Sequence, residues 1–102
     1  MQQITFINAL TVPAEREAEF LQKWERGAAY VRACNGFVST SLHRSLTPRS
    51  QFQFFTIAVW ESAQQFHDAV ASDWWQQYVS GFGFGDGATD FQAAPHVCEL
   101  VR

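Results

Sequence analysis

Positive charge is in short supply in this chain. Seven Lys and Arg stand against ten Asp and Glu, for a net charge of −3, and the basic residues form no cluster. A nucleic-acid partner requires a basic stripe to neutralise phosphates, so that class is excluded. An anionic membrane surface is disfavoured for the same reason. No apolar run approaches the ~20 residues that cross a bilayer. The opening residues, Met1 to Phe6, lack the positive-then-apolar order of a signal peptide. Cysteine is scarce as well: Cys34 and Cys98 lie far apart with no CxxC spacing. They read as reduced, buried thiols of a cytoplasmic protein rather than as a disulfide. The three His and two Cys also lack the paired spacing of a zinc site. Ser, His and Asp are present, but no nucleophile-elbow sequence arranges them. The glycine-rich run Gly81 to Gly87 follows a helical pattern and opens onto loop. A dinucleotide motif has the opposite order, so phosphate binding is not expected.

Aromatic residues, by contrast, are abundant: ten Phe and four Trp in 102 residues. A single domain of this length, 1–102, buries roughly two-thirds of its unfolded surface. So many rings exceed the needs of one small core. The surplus must line a pocket, a subunit interface, or both.

Periodicity gives the order of elements. Met1 to Val12 alternates as a strand, with Ile4, Phe6, Asn8 and Leu10 on one face and Thr5, Ile7, Ala9 and Thr11 on the other. Pro13 suits a first helical position, and the following glutamates favour the positive end of a helix dipole. The spacing of Phe20, Trp24, Gly27, Ala28, Val31 and Cys34 predicts a helix to about Ala33, stopped by Asn35-Gly36. Strands are expected at Phe37 to Leu46 and Gln51 to Trp60, joined by a turn at Pro48. Ser62 and Gln65 have the spacing of a capping box. They open a second helix to about Val79, with Ala63, Phe66, Val70, Trp74 and Tyr78 inward. A long loop over 79–95 follows, then a last strand from His96 to Arg102.

The order β-α-β-β-α-β predicts an α+β, ferredoxin-like fold: a four-stranded antiparallel sheet with two helices on one face. The other sheet face, carrying Ile7, Phe55, Ile57 and Val59 or their alternates, is also apolar. That pattern predicts a homodimer. The loop, with Phe82, Phe84 and Phe91 as anchors, suits a lid or a dimer clasp.

Two segments carry a family likeness. Asn8-Ala-Leu-Thr in the first strand and Val59-Trp60-Glu-Ser at the end of the third, followed by a capped amphipathic helix, resemble the antibiotic biosynthesis monooxygenase (ABM) superfamily. The likeness spans Ile4 to about Tyr78 and the last strand. It implies a dimeric α+β barrel, and it covers both cofactor-free oxygenases and haem-degrading enzymes. By this resemblance Asn8 and Trp60 match the family's active-site Asn and Trp. Residue by residue, a blander reading also stands: a core amide bonded to nearby backbone, and an indole packed in the core. The haem-degrading branch carries an iron-binding His near the end of the second helix. Here that position falls at Tyr78 or Val79, and His67 lies 11 or 12 residues earlier, about 17 Å away along the axis. The departure disfavours haem.

The expected function is therefore cofactor-independent oxygenation of a small aromatic or polyketide-like compound with O2. Asn8 and Trp60 are the catalytic candidates, as N–H donors to a developing oxyanion. Phe6, Trp24, His67, Trp74 and Tyr78 are the candidates for lining the substrate pocket. His43, His67 and Tyr78 are the candidate bases, each with a structural or solvated alternative. Arg44 suits an acidic substrate group or a surface ion pair. A haem enzyme with an atypical ligand and a non-catalytic binding module are the alternatives.

Overall fold

The computed structural model describes residues 2–82 and 91–102. Four strands, β1 (Ile4–Thr11), β2 (Phe37–Arg44), β3 (Phe54–Trp60) and β4 (Gln92–Cys98), form one antiparallel sheet in the order β2-β3-β1-β4. Three helices complete the fold: α1 (Glu17–Arg32), α2 (Ala63–Val70) and α3 (Asp73–Phe82). The ferredoxin-like α+β architecture is as the periodicity predicts.

Local chemistry explains most boundaries. Pro13 leads into a single 3-10 turn, Ala14–Arg16, before α1 begins in earnest at Glu17. After α1, Gly36 adopts φ +86°, a left-handed conformation that L side chains resist. Ser62 caps α2 by accepting from the Gln65 N–H at 3.3 Å, as the capping-box spacing suggests. The reciprocal half differs. The Gln65 side-chain oxygen takes the Ser62 hydroxyl hydrogen at 2.9 Å instead of returning to the Ser62 backbone.

The expected second helix is in fact two. α2 ends when Ala71 N–H bonds the His67 carbonyl, and Ser72 starts α3 afresh by accepting from the Trp75 N–H at 3.1 Å. Tyr30 of α1 clamps the joint: its hydroxyl donates to the Ala69 carbonyl at 2.8 Å and lies 2.7 Å from Ser72 Oγ. With the Tyr30 hydrogen committed to Ala69, the Ser72 hydroxyl is the donor of that second bond. The joint shifts the helical phase, so Trp75 rather than Trp74 turns inward. Trp74 is 40% exposed and stacks between Tyr30 and Tyr78 at ring separations of 4.4 and 5.2 Å.

β4 begins four residues earlier than the sequence pattern suggests and contains Pro95. Proline is tolerated because β4 is an edge strand, where a missing N–H leaves no central ladder broken. Much of the expected 79–95 loop is thus helix or strand, while 83–90 lies outside the described residues, as does any lid or clasp formed there.

The sheet sorts its side chains by parity. Phe6, Asn8 and Leu10 of β1 and Thr56, Ala58 and Trp60 of β3 share the face that all three helices cover. Ile7 pairs with Ile57, Ala9 with Phe55, and Thr5 with Val59 on the opposite face. Ile7, Phe55, Ile57 and Val59 are only half-buried there.

Candidate functional site

Between sheet and helices lies a cavity of about 700 Å³, within the size range of small-molecule sites. The sheet supplies its floor: Phe6, Asn8 and Leu10 from β1, and Thr56, Ala58 and Trp60 from β3. α1 contributes Trp24 and Gly27, α2 contributes Phe66 and Val70, and α3 contributes Trp75, Tyr78 and Phe82. Ring packing makes the walls firm. Phe66 lies 5.1 Å from Phe6 and 5.8 Å from Trp60, whose other edge meets Phe37 at 5.8 Å. Trp60 is 1% exposed. An aromatic, mostly apolar enclosure of this kind takes flat, apolar ligands and fixes them with a few polar groups.

Those few polar groups differ in whether they are already engaged. The Trp24 indole N–H donates to Thr56 Oγ1 at 2.9 Å. The Thr40 hydroxyl donates to the Ile57 carbonyl at 3.3 Å. The Tyr78 hydroxyl donates to the Lys23 carbonyl at 2.6 Å, reaching across from α3 to α1. Asn8 is different. Its Oδ1 is buried and has no hydrogen-bond partner among the described residues. A buried acceptor left unpaired costs about 1–3 kcal/mol, so such an atom marks a position where a ligand donor would be welcome.

Tyr78 is the only titratable side chain among the described residues lining the cavity. Burial pushes its phenol well above the ordinary value near 10, outweighing the opposing pull of the Gly27 backbone hydrogen bond and the Arg26 charge. Its proton is held firmly, which suits neither a base nor a phenolate ligand.

The structure thus brings together Phe6, Asn8, Trp24, Trp60 and Tyr78 around one cavity. His67 and Trp74 do not line it: His67 is exposed on α2 against the edge of Phe66, and Trp74 lies on the outer side of α3. His43 is exposed, with Nε2 2.9 Å from Ser41 Oγ. Arg44 pairs with Glu17 and covers the Phe54 ring at 5.0 Å. Among the lining residues that the sequence reading did not propose are Thr40, Thr56 and Trp75. Thr56 and Thr40 resemble ordinary strand threonines, yet Thr56 shares parity with Trp60 and faces Asn8 across the ladder. Trp75 was hidden by the unforeseen joint.

Haem can be tested against this donor set. The inward positions of α3 are Trp75, Tyr78, Val79 and Phe82. None is His, and the one oxygen donor, Tyr78, is bound to a main-chain carbonyl and resists ionisation. These residues do not fit an axially ligated haem. Among the described residues there is likewise no group of three or more His, Cys, Asp or Glu able to hold a metal ion.

Residues 3–81 match the antibiotic biosynthesis monooxygenase family, and the chain belongs to it. None of the curated proteins matches the sequence. Among solved structures, the fold is similar to SnoaB, a cofactor-independent oxygenase from Streptomyces nogalater. That likeness has 24% identity and a TM-score of 0.82, and it covers 100% of this chain and 96% of that one. It is also similar to Rv0793 from Mycobacterium tuberculosis, at 13% identity and a TM-score of 0.79, over 99% and 97% of the two chains. A third likeness is to the heme-degrading protein Rv3592 from Mycobacterium tuberculosis, at 22% identity and a TM-score of 0.69, over 98% and 92%. At these identities the structural likenesses speak for the fold.

Proposed function

We propose that this chain is a cofactor-independent monooxygenase that oxidises a small aromatic or polyketide-like compound with O2 in the cavity between sheet and helices. The observation that carries the reading is the unpartnered, buried amide oxygen of Asn8 in a mostly apolar, ring-lined cavity. Core packing alone would favour Leu at that position. A family of monooxygenases supplies the reaction class.

In this reading the enclosure excludes water and holds substrate and O2 in contact. The Asn8 amide N–H groups and the Trp60 indole N–H stabilise negative charge on a substrate oxygen. With no ionisable base other than a reluctant Tyr78 along the described wall, substrate ionisation rests on the substrate's own acidity and on those donors. An anthrone-like ring meets the demand. Its CH2 becomes C=O, one atom of O2 enters the product, and the other leaves as water with both hydrogens. The substrate carbon supplies all four electrons, so no external reductant is consumed.

Oxygen uptake with an anthrone or hydroquinone tests the reading. Uptake that falls at least about 100-fold in Asn8→Ala and Trp60→Phe supports it, on the scale of losing one oxyanion donor. Undiminished rates in both variants would remove the assignment. Binding without any uptake across an aromatic panel would make this a non-catalytic binding module.

The same reading includes a homodimer formed through the sheet face bearing Ile7, Phe55, Ile57 and Val59, because an apolar face of that kind is stable only when covered. Light scattering that finds a monomer at micromolar concentration would refute it. A reducing, cytoplasmic setting completes the proposal, resting on two unpaired cysteines, Cys34 and Cys98.

A further inference from the structure

Asn8 and Thr56 stand directly opposite each other on β1 and β3, and both line the cavity. Residues so paired have Cβ atoms about 4.5–5.5 Å apart. Their side chains do not satisfy each other, since Asn8 Oδ1 has no partner. Thr56 Oγ1 already accepts the Trp24 indole N–H at 2.9 Å. An indole N–H is only ever a donor, so the Thr56 hydroxyl hydrogen must point away from Trp24. No described residue takes it. The cavity floor therefore offers, side by side, an acceptor with nothing to accept and a donor whose direction is set by a third residue.

We propose that Trp24 is a positioning residue for substrate recognition: by holding the Thr56 hydroxyl as a donor beside the Asn8 acceptor, it makes the floor selective for a neutral aromatic hydroxyl, a phenol or an enol. A hydroxyl gives a hydrogen bond to Asn8 Oδ1 and takes one from Thr56 Oγ1 with one oxygen atom, and the ring-lined walls favour a hydroxyl carried on an aromatic skeleton. A ketone or ether oxygen accepts from Thr56 and leaves Asn8 unpaired. A carboxylate brings a full charge into a cavity with no cationic side chain among its described lining residues. Without the Trp24 N–H, the Thr56 hydroxyl is free to turn and donate elsewhere, and the pair loses its polarity. The inference rests on the small-aromatic reading above for the site, but not on turnover.

The test is anaerobic binding of 1-naphthol and 1-naphthylamine, whose N–H still donates to Asn8 but whose delocalised lone pair accepts poorly from Thr56, followed by calorimetry or by quenching of the cavity tryptophans. The wild-type protein is expected to prefer naphthol by about ten-fold or more, the scale of one satisfied buried hydrogen bond. Thr56→Val and Trp24→Phe should each bring that ratio close to one. Thr56→Ser, which keeps the hydroxyl and its indole partner, should retain it. A purely structural Trp24 would lower both affinities together and leave the ratio unchanged, and that result overturns the proposal. So does wild-type protein that binds naphthol no better than the amine, or not at all. If Trp24→Phe does not fold, the contrast between Thr56→Val and Thr56→Ser decides. Because O2 is absent, a protein that never oxidises either compound can still show the selectivity, so failure of the oxygenase reading is distinguishable from failure of this one.

Discussion

Tyr78 stands where a side chain on Gly27 would have to go. A Cβ built at Gly27 meets the Tyr78 hydroxyl and lies 2.7 and 2.9 Å from two ring carbons. The glycine lets the ring press onto α1, where its hydroxyl reaches the Lys23 carbonyl. One wall of the cavity is thereby fixed by the absence of a side chain on the facing helix.

Gly27→Ala should accordingly destabilise the protein even though alanine is the better helix former. Propensity favours the change by about 1 kcal/mol, while forced displacement of a packed ring costs about 1–3 kcal/mol. Urea unfolding is expected to show a net loss. The same variant should weaken binding of any cavity ligand, because Tyr78 lines the cavity and its ring must shift. A gain in stability with unchanged ligand affinity would contradict this placement of Tyr78.

Alkaline pH gives an independent check. Burial raises the Tyr78 phenol above its ordinary value near 10 in the folded state, and burial likewise raises Tyr30. The folded protein then holds these protons more tightly than the unfolded chain does. Their contribution is complete below pH of about 10 and is lost as pH climbs above it, where the unfolded chain releases protons first. Unfolding free energy measured from pH 8 to 11 should decline at the upper end, and less steeply in Tyr78→Phe. Between pH 6 and 9 the same substitution should leave the shape of any pH–rate profile unchanged.

Asn8→Leu separates a functional amide from a structural one. Removing a buried acceptor that has no partner, and replacing it with an apolar group of similar size, should stabilise the fold by about 1 kcal/mol. The same change should abolish oxygen uptake. Thermal unfolding and an oxygen electrode read the two effects. Loss of stability together with activity would mean that the amide supports the core, and would return Asn8 to the blander reading.

The joint between α2 and α3 depends on Ser72, which caps α3 and donates to Tyr30. Ser72→Ala should cost about 0.5–2 kcal/mol as a lost cap. Ser72→Thr, which preserves the hydroxyl, should recover most of it in a denaturant titration. Equal stability of all three proteins would show that the break is held by other contacts.

How much of this was readable in the sequence depends on the element. β1 was legible because its alternation is strict and Asn8 is conspicuous among Phe6 and Leu10. The end of α1 was legible because Gly36 needs a positive φ. The α2–α3 joint was not, although Ser72-Asp73 is a good cap signal. Apolar residues at 66, 70, 74 and 78 keep an unbroken helical spacing by coincidence, and that spacing outweighed the cap. The start of β4 was not legible because Pro95 suggests a boundary, whereas the strand lies at the sheet edge and tolerates it. At the site, Thr56 was recoverable from parity with Trp60. Its bond to Trp24 was not, since it depends on how far α1 leans over β3.

The Ser72 joint also separates the floor of the cavity from one of its walls. Asn8 and Thr56 belong to the sheet floor, while α3 presents Trp75, Tyr78 and Phe82 as a wall. Inserting or deleting one residue beside Ser72 would rotate α3 by about 100° around its axis. A new set of side chains would then face the cavity, with Asn8 and Thr56 untouched. A change in the length of this two-residue hinge would thus reshape one wall of the cavity while leaving its polar floor as it stands.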